Sequence, residues 1–106
     1  MQMNINIPKV LAVLSPADRD DLIREGLYEA VQARIRRIKA DIVESESHVH
    51  HFEEKYGVSF DQFEAKTLAD LDTHEAHEDY NDWFFWTEVL SKNQHLLDEI
   101  QKNEDR

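Results

Sequence analysis

Imidazole and carboxylate side chains are the groups in this sequence best suited to bind a transition metal or move a proton. Two sets of them recur at helical spacing. Glu44, His48 and His51 fall on one helical face, and His74 and His77 stand one turn apart beside Glu75, Glu78 and Asp79. Both residue types are ligands for zinc, iron or manganese. A metal-binding helical bundle using Glu44, His48, His51, His74 and His77, with oxidoreductase chemistry, is therefore one reading. Against it, di-iron bundles use inward-facing Glu-x-x-His repeats, and neither that repeat nor His-Glu-x-x-His occurs here. The competing expectation is of solvated histidines among acids, with no catalytic residue and no cofactor.

The most distinctive stretch is residues 77–86, HEDYNDWFFW. Four consecutive aromatics on a helix point in directions about 100° apart, so they cannot all face one neighbour. In one arrangement Trp83 and Trp86 fill a helix–helix seam while Phe84 and Phe85 pack against a turn carrying Phe60 and Phe63. In the other, Phe84 and Phe85, edged by Glu78, Asp79, Tyr80 and Asp82, form an exposed anchor for a basic partner. Aromatic residues are favoured as interface hot spots.

At the N-terminus, Met1, Met3, Ile5 and Ile7 alternate with Gln2, Asn4 and Asn6, a period of two that predicts a short strand ended by Pro8. A lone strand needs a partner. Outward Gln2, Asn4 and Asn6 have the chemistry of a two-stranded ribbon reading adenines, with Lys9 on a flanking phosphate. A dimer-pairing arm without DNA contact is the plainer alternative. Arg34, Arg36, Arg37 and Lys39 form the densest basic cluster. They do not share a helical face, and ion pairing with acids of a neighbouring helix is the role expected of them.

The elements that carry these residues are helical. Val10, Leu11 and Leu14 predict one or two turns. Ser15-Pro16 then marks a helix start, with Ser15 as N-cap and proline at the first helical position. The apolar pattern runs on to Tyr56, where Gly57 suits a left-handed cap. Val31, Ile35, Ile38, Ile42, Ser45, Val49, Phe52 and Tyr56 step by four and three, a heptad seam in which Ser45 is the strongly polar member. Ser59 caps a short helix carrying Phe60, Phe63 and Leu68. A second long helix starts near Thr73, with a seam of Trp83, Trp86, Leu90, Asn93, Leu97 and Ile100, widened by Phe85, Val89 and Leu96. Neither helix buries enough surface alone.

The fold expected is all-α: a long antiparallel helical hairpin, coiled-coil-like, in which residues 16–56 pack against 74–102. It is doubled into a dimeric bundle and preceded by a short strand-like arm. The arm occupies residues 1–14 and the hairpin domain 15–106. Two glycines and two prolines in 106 residues leave few interruptions to such helices. The absence of cysteine excludes disulfides and thiolate metal sites. With no signal-peptide pattern and no run of about 20 apolar residues, a soluble cytoplasmic protein is expected. The net charge of −11 is uneven: residues 1–40 carry +2 and residues 41–106 carry −13. Such a chain repels nucleic-acid phosphates in general and suits a basic protein surface.

Three stretches, residues 22–31 (LIREGLYEAV), 52–60 (FEEKYGVSF) and 77–86, carry a further signal. Over roughly residues 8–100 the chain resembles small helical proteins of bacteria and archaea that are encoded beside a toxin and act as antitoxins of type II toxin–antitoxin systems. The resemblance implies a non-enzymatic module that neutralises a cognate toxin by direct binding, with autoregulation of its operon through DNA as a further role. A metal-binding bundle and a purely structural, oligomerising coiled-coil protein are the alternatives.

Overall fold

The computed structural model describes residues 9–104. Every element among them is helical: α1 (Lys9–Val13), α2 (Pro16–Tyr56), α3 (Phe60–Gln62), a π-helical turn (Phe63–Thr67), α4 (Leu68–Leu71) and α5 (His74–Glu104). The strand expected at residues 1–7 lies outside the described residues. No described helix is long and apolar enough to cross a membrane.

Local chemistry sets the boundaries. The Ser15 hydroxyl accepts from the Asp18 N–H at 3.1 Å, capping the 41-residue α2, which is about 60 Å long. The helix ends where Gly57 takes a left-handed conformation at φ 68° and its N–H returns to the Glu53 carbonyl. Ser59 and Gln62 close a capping box at the start of α3. In the π turn that follows, the Leu68 N–H reaches back five residues to the Phe63 carbonyl. Asp72 then ends α4 in the left-handed region at φ 44°, a conformation Asp tolerates better than most residues. The Thr73 hydroxyl accepts from the Ala76 N–H at 3.1 Å and opens the 31-residue α5.

The chain falls into two units, Met1–Arg34 and Ile35–Arg106. The second holds an aromatic core. Phe52, Phe63, Ala76 and Trp83 are buried, and Val49, Tyr56, Val58, Phe60, Leu68, Tyr80 and Trp86 pack around them. Trp83, with no exposed surface, is the hub: Phe63 lies 5.1 Å away, Phe60 5.4 Å, Phe52 5.6 Å and Tyr56 6.1 Å, ring centroid to centroid. Aromatic pairs at such separations add about 0.5–1.5 kcal/mol each beyond their area. Along α2, His48, Phe52 and Lys55 meet Trp86, Trp83 and Asp79 of α5 in that order. Ile35, Ile38 and Ser45 are also buried. The Ser45 hydroxyl, the polar member of the seam, bonds the Asp41 carbonyl of its own helix at 2.8 Å.

Within the first unit Leu11 and Leu14 are half-buried. Leu22, Ile23, Leu27, Tyr28 and Val31 are all exposed, Leu27 and Tyr28 by 62% each. Val31, expected on the seam, is therefore not part of a buried core. Arg34, Arg36, Arg37 and Lys39 are exposed, and none makes an ion pair with a described residue. This corrects their expected pairing with helix acids. Lys55, the next-to-last residue of α2, is the lysine that crosses to α5.

Candidate partner-binding site

Trp83 sets the orientation of α5. With its side chain inward, Asp79 and Tyr80, one turn earlier, are drawn toward the core, while Phe84 and Phe85 turn outward on either side. Phe84 is 46% exposed, touching Phe60 and Tyr80 at ring separations of 6.2 and 6.3 Å. Phe85 is 55% exposed and lies edge-on to Trp86 at 5.1 Å. The turn carrying Phe60 and Phe63 thus covers one flank of Phe84. The rings of that turn contact Trp83, Tyr80, Phe84 and Tyr56, whereas Phe85 leans on Trp86.

The six residues expected to engage a partner therefore divide. Glu78, Asp82, Phe84 and Phe85 are exposed. Asp79 and Tyr80 are half-buried and engaged within the fold. The Asp79 carboxylate accepts from Lys55 Nζ at 2.6 Å and from the Tyr56 hydroxyl at 2.5 Å, and Lys55 also donates to Glu75 at 2.6 Å. The Tyr80 hydroxyl donates to Glu64 at 2.7 Å while its ring stacks on Phe60. Three of the exposed positions, Glu78, Asp82 and Phe85, belong to a longer pattern. Glu78, Asp82, Phe85, Val89, Lys92 and Leu96 step by four and three along the outward side of α5, a second heptad stripe distinct from the one through Trp83. Leu96 is 46% exposed and Val89 half-buried, so the stripe begins acidic and becomes apolar apart from the exposed Lys92.

The Lys55 cluster has a definite electrostatic character. Burial would raise the Asp79 carboxyl, but the hydrogen bonds from Lys55 and Tyr56, with the lysine charge, outweigh it and hold the group below its ordinary range. Burial first, then the bond to Asp79, pushes Tyr56 up to about 12. Hydrogen bonds to Asp79 and then Glu75 hold Lys55 above the ordinary lysine range. Tyr80 is raised by its bond to Glu64. A charged lysine and neutral tyrosines are the reverse of what an amine nucleophile or a tyrosinate base requires. The arrangement is that of a clasp between helices.

The histidines are dispersed. His48 lies 4.0 Å from Glu44, and its ring stacks on Trp86 at 3.9 Å with an interplanar angle of 8°. His51 meets Phe52 edge-on, His74 pairs with Glu78 at 2.9 Å, and His77 reaches Asp72 at 3.3 Å. Among the described residues no three His, Asp or Glu side chains converge as a metal site. The fold thus does not gather Glu44, His48, His51, His74 and His77 into one ligand set. Of the residues expected to read DNA, Gln2, Asn4 and Asn6 lie outside the described residues, and Lys9 is exposed at the start of α1.

Sequence reasoning missed the clasp, because Lys55 and Asp79 are 24 residues apart and no periodicity links them. It also grouped Asp79 and Tyr80 with the outward acids. Counting back from Trp83 by four and three would have placed them inward. No family model matches the chain, and no curated protein or solved structure is significantly similar to it.

Proposed function

We propose that this chain is a non-enzymatic protein-binding module: an acidic antitoxin that neutralises a basic, RNA- or nucleotide-handling toxin by direct contact. The observation that carries the reading is the outward heptad stripe of α5, with exposed Phe85 and Leu96 following Glu78 and Asp82. Helical partners dock on such stripes through residues spaced by three and four. Large aromatics supply affinity there, and flanking charge supplies orientation and association rate. A net charge of −11 favours a basic partner and lets carboxylates stand where the toxin would otherwise meet phosphates. The family resemblance of residues 22–31, 52–60 and 77–86 supports the same role. In this reading α2 and α5 form an antiparallel hairpin whose function is to hold that stripe straight.

The test is co-expression with the product of the adjacent reading frame. The complex is expected to co-purify and to restore growth that the neighbour alone arrests. Phe85→Asp with Leu96→Asp is expected to abolish both while the circular dichroism of the helices persists. No complex and no rescue with the wild-type chain would sink the proposal. A helical double variant that still binds and rescues would remove the stripe as the site.

A further inference from the structure

The first unit leaves one helix face without a neighbour among the described residues. Ile23, Leu27 and Val31, each one turn from the next, are 50%, 62% and 41% exposed. Asp20 and Arg34 stand seven residues before and after Leu27, which is two turns in each direction, so both share its face. Both are exposed, and neither makes an ion pair with a described residue. The order along this face is acid, Ile23, Leu27, Val31, base.

That order is complementary to its own reverse. Aligned antiparallel about Leu27, two copies set Asp20 against Arg34 at both ends, Ile23 against Val31 on both sides, and Leu27 against itself. A parallel alignment would set Asp20 on Asp20 and Arg34 on Arg34, and like charges placed opposite each other are unfavourable. On this face Asp20 and Arg34 cancel, so its charge does not call for a strongly basic or acidic foreign surface.

We propose that residues 20–34 of α2 pair antiparallel with the same residues of a second copy, with Leu27 on the twofold axis. This contact is isologous, as closed dimers require. It spans about 21 Å of helix and falls short of a standard interface area. The dimer is accordingly a weak, reversible one, governed by concentration. It uses a different helix from the toxin-binding stripe and does not depend on that assignment.

Sedimentation velocity over a concentration series provides the test, with Asp20→Arg and Arg34→Asp as variants. The wild-type chain is expected to show a monomer–dimer equilibrium. Each single variant places like charges opposite each other and should weaken dimerisation by about tenfold or more. An equimolar mixture of the two variants should form a heterodimer close to wild-type strength, because every end then pairs Arg with Asp. A monomeric wild-type chain at all concentrations, or a dimer indifferent to the charge changes, overturns the proposal. If a charge variant loses helix content, Leu27→Cys serves instead, as the chain has no other cysteine. Mild oxidation should then link copies through residue 27, and failure to do so overturns the proposal equally.

Discussion

Trp83 has four aromatic neighbours and no exposed surface, and the packing of the second unit is organised around it. Truncating it would open a cavity bounded by rings from α2, α3 and the π turn. Trp83→Ala is therefore expected to cost about 3–5 kcal/mol of stability, read from urea unfolding. A loss below about 1 kcal/mol would show that the hub is not a packed core. Asp79 yields a second prediction at this scale. Its folded-state pKa lies below the ordinary 3.8, so its contribution is complete above that value and is lost as pH falls through the folded value. Tyr56 has the opposite sign: raised from 10.0 to about 12, it contributes fully below pH 10 and loses the contribution between those values. Urea midpoints measured against pH should thus fall on both the acid and the alkaline side. Asp79→Asn should flatten both limbs relative to wild type. Parallel curves for the two proteins would mean that the clasp does not set the pH response.

At the scale of elements, α2 is one continuous helix whose two parts have unequal support. Residues 35–56 contribute Ile35, Ile38, Ser45 and Phe52 to buried positions, whereas every residue from 20 to 31 is exposed. Amide exchange should follow this division, with residues 20–31 exchanging at least about tenfold faster than 38–52 in dilute solution. Uniform protection along α2 in dilute solution would contradict it. Much of this element structure was legible beforehand. Ser15-Pro16 and Gly57 marked the ends of α2 because capping depends on residue type at one or two positions. The buried seam through Ile38, Ser45 and Phe52 followed from repeat spacing alone. Two features were not legible for a physical reason. The π turn at Phe63–Thr67 opens on Phe63, which packs on Trp83, a tertiary contact that propensity does not encode. Burial of Ile35 but not Val31 depends on where packing on α2 stops, and the heptad pattern runs through that point without a break.

For the whole molecule, charge and shape-bearing surface are separated along the sequence. The stretch after residue 40 carries −13, the aromatic core and the outward stripe of α5, while the stretch before it is nearly balanced and carries the self-complementary face. Of the candidate site, the acidic aromatic run of residues 77–86 was visible as a string. Its division into clasp and exposed anchor depended on which way Trp83 points. That orientation also has a practical outcome. The chain has two tryptophans: Trp83 is sealed from solvent, and Trp86 is sandwiched between the His48 ring at 3.9 Å and the edge of Phe85 at 5.1 Å. Fluorescence emission from the first reports only on the core, whereas emission from the second responds to whatever disturbs Phe85. A partner that seats on the outward stripe should alter Trp86 emission and leave the blue-shifted Trp83 band in place. Titration of a candidate partner into Trp83→Phe, with Trp86 as the only remaining indole, would therefore follow docking without a label.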